Sequence, residues 1–202
     1  MLKKEIIWRE ILIQARTNKK RIFTQKELAQ KFGFSLSTVF NALKIPRENG
    51  SIKVNSRFFT LENYKKLLYL WANERSLKRE IVYSARLDSD ILNLEKEMPS
   101  NVIFGLYSAY KFIYKDAPAD YDHLYVYSDA KDLKELQKRL LTSSVLSKTP
   151  RLASNFFILE SDLWLKGYSE SMPLEQIFVD IWNSQEWYAK DFLKALEQKL
   201  NL

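Results

Sequence analysis

Thr24-Gln-Lys-Glu-Leu-Ala-Gln-Lys-Phe-Gly-Phe-Ser-Leu-Ser-Thr-Val-Phe-Asn-Ala-Leu-Lys44 reads as two short helices joined by a tight turn, the layout of a helix-turn-helix. Thr24 can cap the first helix, and Glu27 three residues later completes a capping box. Leu28, Ala29 and Phe32 give that helix an apolar side. Gly33 then permits a left-handed turn that residues with a Cβ resist. Ser35 can cap the second helix, where Leu36, Val39, Phe40 and Leu43 recur at i, i+3, i+4 and i+7 and predict one buried stripe. Ser37, Thr38, Asn41 and Lys44 are left facing outward. Short polar groups with one cation suit base edges and phosphates. An ordinary helical hairpin with a solvated polar face would share the pattern.

The flanks of this stretch extend the reading. Ile45-Pro46 is expected to end the helical run, because the residue before proline is pushed out of the α region. Arg47-Glu48-Asn49-Gly50 reads as a turn. Ser51–Val54 and Arg57–Thr60 then flank Asn55-Ser56, a short hairpin with a two-residue loop. A hairpin directly after such a helix is the wing of a winged helix, and its tip would carry Lys53, Asn55, Ser56 and Arg57 to DNA. Upstream, residues 3–16 form a helix with Ile7, Trp8, Ile11, Leu12 and Ala15 on its apolar side. The basic loop Thr17-Asn18-Lys19-Lys20-Arg21 is either a solvated connector or a phosphate clamp. Lys20 and Arg21 stand beside a helix N-terminus, where the backbone of Thr24, Gln25 and Lys26 can also meet phosphate. Leu61 to Glu74 is a further helix, with Leu61, Tyr64, Leu67, Leu68 and Trp71 at helical spacing.

Charge separates the chain into two halves. Residues 1–80 hold 18 Lys+Arg against 7 Asp+Glu, and residues 81–202 hold 14 against 18. The formal charge of +7 therefore comes wholly from the half with the helix-turn-helix, and a basic half favours nucleic acid. The 202 residues, 46% of them hydrophobic, allow one large domain or two small ones. The absence of cysteine excludes disulfides, thiolate zinc sites and cysteine nucleophiles. A single histidine, His123, argues against a histidine-rich metal site or a Ser-His triad. With no apolar run long enough for a membrane and no secretory signal, the expected location is cytoplasmic.

The polar connector Asn73–Glu80 places a domain boundary near residue 78, giving domains 1–78 and 79–202. The second domain alternates. Strands are expected at Ile81–Arg86, Val102–Phe104, Tyr121–Tyr127 and Asn155–Glu160. Helices are expected from the Asp88-Ser89-Asp90 cap to Glu97, at Leu106–Tyr114 and at Asp129–Leu141, the last with Leu133, Leu136, Leu140 and Leu141 apolar. A polar stretch surrounds Pro150. Pro173 opens a final strand or extended segment, Leu174–Ile181, and Gln185–Leu200 is the closing helix. The fold class is α+β. Tyr107, Tyr110, Tyr114, Tyr121, Tyr125 and Tyr127 suit either stacking or core. Trp182, Trp187 and Tyr188 suit packing under the last helix, or an exposed patch.

The winged helix, followed by Val102-Ile-Phe-Gly-Leu-Tyr-Ser-Ala-Tyr110, Tyr121-Asp-His-Leu-Tyr-Val-Tyr127, Gln176-Ile-Phe-Val-Asp-Ile-Trp182 and Trp187-Tyr-Ala-Lys-Asp-Phe192, resembles the AbiEi-like antitoxin and transcriptional regulator families. The resemblance spans most of the chain through short motifs. It implies an N-terminal winged helix-turn-helix joined to a C-terminal α/β domain like a minimal nucleotidyltransferase. It implies a sequence-specific regulator of double-stranded DNA, an antitoxin-like autorepressor with a toxin or other protein partner. Its DNA-binding residues would map onto Ser37, Thr38, Asn41 and Lys44. The reading of the residues themselves adds Lys20, Arg21, Thr24, Gln25, Arg47, Lys53, Asn55 and Arg57 as DNA contacts, a homodimer through the Leu61–Trp71 stripe as one option, and no membrane.

Active nucleotidyltransferases resemble the pattern Gly-Ser, a spacer, then Asp-x-Asp on a strand, whose carboxylates hold Mg²⁺. Here Gly105 is followed by Leu106 where a small residue lets phosphate approach. Asp120 and Asp122 would share one strand face, and Asp180 on a later strand would be the third carboxylate. The domain is thus read as degenerate and non-catalytic, with no cofactor. The alternative is a Mg-dependent nucleotidyltransferase acting on nucleic acid or protein.

Overall fold

The computed structural model describes residues 1–142, 153–168 and 172–202. The expected polar stretch around Pro150 lies outside them, as do the side chains of Leu140 and Leu141. Among the described residues the chain is α+β, with ten α-helices and two small sheets. It divides between Arg75 and Ser76 into two compact units, the first also taking Leu202.

The first unit is built around α1 (Lys3–Thr17), in which every residue from Glu5 to Ile13 is buried. Its two carboxylates are paired: Glu5 accepts from Arg75 and Trp71, and Glu10 accepts from Lys31. α2 (Gln25–Phe32) begins at Thr24, whose hydroxyl accepts from the Glu27 amide at 3.1 Å while the Glu27 carboxylate accepts from the Thr24 amide at 3.2 Å. Two of the orphan donors of the helix start are thereby satisfied. Gly33 ends α2 at φ 64°, where a side chain would be strained. Ser35 caps α3 (Leu36–Ala42) through the Thr38 amide. The Trp8 indole donates to the Ala42 carbonyl at 2.8 Å and pins the end of α3 to α1.

The buried side of α3 differs from the expected stripe. Val39, Ala42 and Leu43 are buried, but Leu36 is 56% exposed and Phe40 47%. A seven-residue helix offers only two turns, so α1 covers a narrow seam and the flanking apolar residues stay in water. Pro46 does not end the helical run. It lies in the first turn of α4 (Lys44–Glu48), where a missing N–H costs nothing, and Leu43 marks the break with α3.

β1 (Ile22–Phe23), β2 (Ile52–Val54) and β3 (Phe59–Leu61) form an antiparallel sheet in the order β1-β3-β2. β1 lies in what reads from sequence as loop, because two residues carry no periodicity. Val54 pairs with Phe59, so the hairpin loop is the four residues Asn55–Phe58 rather than Asn55-Ser56. The Asn55 amide closes it on the Phe58 carbonyl at 2.8 Å. Leu61 ends β3, and α5 (Tyr64–Glu74) starts after it under an Asn63 cap.

The second unit has a four-stranded sheet of β4 (Ile81–Ala85), β5 (Ile103–Phe104), β6 (Leu124–Ser128) and β7 (Phe156–Glu160) in the order β4-β7-β6-β5. β6 and β7 are parallel; the outer pairs are antiparallel. Central β6 is buried on both sides. Leu124 and Val126 join Leu94 of α6 (Ile91–Glu97) and Leu136 of α8 (Ala130–Thr142) in one core. The alternate residues Tyr125 and Tyr127 point to the opposite face, toward α7 (Leu106–Tyr114) and α9 (Leu174–Trp182).

Residues 174–182 form a helix rather than the expected strand. Every residue from Glu175 to Ile181 is buried. A helix enclosed on all sides reads as a continuous apolar run, which periodicity does not separate from a buried strand. Pro173 sits at its start, a place proline tolerates. α10 (Ala189–Leu200) begins four residues later than expected, and a turn at Trp187–Tyr188 precedes it, closed by the Ala189 amide on the Glu186 carbonyl at 3.0 Å.

Candidate functional sites

Two regions collect exposed chemistry, one in each unit. In the first, Ser37, Asn41 and Lys44 are exposed and Thr38 is half-buried at the start of α3. The Lys44 ammonium lies 5.6 Å from the Phe40 ring centre, so cation, aromatic and amide stand on neighbouring turns. Arg47 on α4, Lys53 on β2, and Asn55 and Arg57 in the hairpin loop are all exposed. None of those three cations forms an ion pair among the described residues. Lys20, Arg21 and Thr24 are committed within the fold: Lys20 to Glu27 at 2.9 Å, Arg21 to the Leu61 carbonyl at 3.3 Å, and Thr24 to the capping box. Gln25 is half-buried.

The exposed Leu36 and Phe40 are the residues that sequence reasoning missed here. Helical periodicity assigned them inward, and only the shortness of α3 could have warned otherwise.

The second unit holds a cleft of about 700 Å³, lined among others by Lys78, Asp122, His123, Phe157, Glu186 and Trp187. One carboxylate organises its floor. The Tyr107 hydroxyl donates to Glu186 Oε2 at 2.9 Å and the Tyr125 hydroxyl to Oε1 at 2.5 Å. Burial, reinforced by the Glu186 charge, holds both phenols far above their ordinary pKa, so they remain donors. A second network links Asp122, His123 and Tyr188. His123 Nδ1 lies 2.7 Å from Asp122 Oδ1 and 2.9 Å from the Tyr188 oxygen, and the Tyr188 hydroxyl donates to Asp122 Oδ1 at 3.0 Å. Partial burial pushes the Asp122 carboxyl up. The hydrogen bonds from His123 and Tyr188, with the nearby His123 charge, outweigh it and bring the pKa below the ordinary carboxylate value. Tyr125 and Phe157 stack at 4.6 Å and 12°, and His123 lies parallel to Phe157 at 6.0 Å and 10°. Trp187 stands at the rim, 73% exposed and edge-on to buried Tyr188.

The expected metal carboxylates do not converge. Asp120 and Asp122 share no strand face, because β6 starts only at Leu124, whose amide donates to the Asn155 carbonyl. The residues ahead of it are held away from the ladder by the Asp122–Tyr188 contacts. Asp180 lies on helix α9, buried, and accepts from Tyr127 and Gln176. Among the described residues no three His, Asp or Glu side chains group so as to hold a metal ion. These donors do not fit the Mg²⁺ of a nucleotidyltransferase. Gly105 is needed for a different reason than phosphate approach: a Cβ there would lie 3.2 Å from the Tyr127 ring.

Among the described residues no helix is long and apolar enough to cross a membrane. Compared with known proteins, the chain matches no family model, no curated protein and no solved structure.

Proposed function

We propose that the first unit is a winged helix-turn-helix and that the protein is a sequence-specific regulator binding double-stranded DNA. In this reading α3 enters the major groove, and the hairpin of β2 and β3 is the wing. The observation that carries it is the surface of α3: Ser37, Phe40 and Asn41 are exposed on a helix whose other side is fixed in the core through Val39, the Leu43 cap and the Trp8–Ala42 bond, and exposed Lys44 follows at the start of α4. Rigid support beneath an exposed mixed polar and apolar face is what base reading requires. The strongly basic charge of this half supplies the non-specific attraction. The resemblance to AbiEi-like regulators points the same way and adds autorepression with a toxin partner. The second unit then serves as a non-catalytic sensor or interaction domain.

Selection of binding sites from random duplex DNA with the full chain tests the reading. Wild type is expected to enrich one motif. Asn41 is the residue best suited to a bidentate pair with adenine, and Asn41→Ala should lose about 1–3 kcal/mol on that motif while keeping its affinity for unrelated DNA. Enrichment of no motif, or an Asn41→Ala protein that selects the wild-type motif with full affinity, defeats the assignment of α3.

Exposed Phe40 makes a second prediction for the same site. An aromatic ring beside Asn41 fits the 5-methyl group of thymine. Burying one methyl contributes about 0.8 kcal/mol, so deoxyuridine in place of the contacted thymine should weaken wild-type binding roughly fourfold. Phe40→Ala should bind the two duplexes equally. A wild-type protein indifferent to every thymine-to-uracil exchange in its motif rules this contact out.

A further inference from the structure

We propose that the cleft of the second unit binds an organic cation: a flat or apolar body carrying a protonated amine or guanidine group. Its volume of about 700 Å³ lies in the range of small-molecule sites.

The ligand class follows from what the lining can offer. Glu186 is fixed by two tyrosine hydroxyls, one on each oxygen, and Asp122 by His123 and Tyr188. Donors directed into both groups stabilise the anions, and each carboxylate keeps lone pairs for a further donor. His123 spends Nδ1 on Asp122, and in the tautomer with the proton on that nitrogen Nε2 is an acceptor. Nε2 has no partner among the described residues. Three acceptors, two of them charged, therefore face a ligand. Among the described residues, exposed Lys78 is the only lysine or arginine in the lining.

The walls agree with the floor. Half-buried Phe157, backed by the stacked and buried Tyr125, and the exposed Trp187 offer aromatic surface, and π-faces attract cations more strongly as water is excluded. A tryptophan left 73% exposed beside a cleft has apolar area that a stacking ligand would remove from water. The same charges work against phosphates and carboxylic acids, because Glu186 and Asp122 repel an anion and Lys78 offsets one of these two charges at most. The cleft is thus not suited to a nucleotide triphosphate.

The test uses the full chain without DNA, so its outcome is separate from that of the DNA reading. Calorimetric titration at pH 8 compares tryptamine, 3-ethylindole and indole-3-propionate, which share one ring and differ in charge. Tryptamine is expected to bind about tenfold tighter than the neutral compound, near 1.4 kcal/mol, and the anion should give no heat. Glu186→Gln keeps the shape and removes the charge; it should cancel the advantage of tryptamine and leave 3-ethylindole unchanged. Trp187→Ala removes an exposed ring, so the fold is retained, and should weaken tryptamine and 3-ethylindole alike even if Glu186→Gln fails to fold. The proposal is overturned if the anion binds as well as the amine, or if both variants bind tryptamine like wild type. It is equally overturned if tryptamine does not bind wild type at millimolar concentration.

Discussion

Arg75→Ala is expected to destabilise the first unit by about 3–5 kcal/mol, a large part of the stability of a domain this size. The Arg75 side chain is 0% exposed and that of Glu5 3%, with Nη1 and Oε2 3.0 Å apart. Arg75 follows directly after α5, and Glu5 lies in the first turn of α1, so the pair ties the last helix of the unit to its first. The Trp71 indole donates to the same carboxylate oxygen at 3.3 Å. Alanine would remove the cation and leave a carboxylate surrounded by α1 and α5, with one neutral donor in place of a charged one. A buried anion without its cation costs far more than the intact pair contributes, because desolvation has already taken place. The double variant Glu5→Leu/Arg75→Met separates these terms. It removes both charges at similar volume and should recover most of the loss. Urea titration followed by circular dichroism reads both; an Arg75→Ala midpoint equal to wild type would show that the pair does not hold the unit together.

That ion pair was invisible in the sequence, since nothing at position 5 or 75 signals a partner seventy residues away. The local devices were legible for the opposite reason. Thr24, Glu27, Gly33 and Ser35 act within four residues of themselves, and each occupies its expected role. The misreadings arise where tertiary packing decides. Leu36 and Phe40 match a helical stripe that the rest of the unit is too small to cover. Leu174–Trp182 has strand-like composition because a helix buried all round has no polar face to mark its period. Of the cleft in the second unit, only the residues were legible. His123 and its neighbour Asp122 show no sign in sequence of their third member, Tyr188, which reaches them only when the turn at Trp187–Tyr188 meets the segment before β6. The extra residues read as the start of α10 carry Glu186, Trp187 and Tyr188, three of its functional groups. A polar segment ending in the aromatic pair Trp187-Tyr188 before a strongly periodic helix was the available signal.

The triple variant Arg47→Ala/Lys53→Ala/Arg57→Ala is expected to give the largest loss of DNA affinity that leaves the fold intact. All three side chains are exposed and none is ion-paired among the described residues, so their removal opens no cavity and strands no buried charge. Lys53 lies opposite Thr60 in the β2–β3 register, with buried Ile52 beside it pointing inward, and Arg57 sits in the loop that closes the hairpin. If each cation neutralises one phosphate, the three together release about 2.7 counterions, and the slope of log K against log salt should flatten by that amount. At 0.15 M salt the same term amounts to a loss of roughly a hundredfold, near 3 kcal/mol, shrinking toward nothing at 1 M. The loss should fall equally on the selected motif and on unrelated duplexes, because phosphates carry no sequence. Asn41→Ala provides the contrast: its salt slope should match wild type while its preference for the motif collapses. Fluorescence anisotropy over a salt series distinguishes the two. A triple variant with the wild-type slope would remove the wing and α4 from the DNA interface, whatever α3 is found to read.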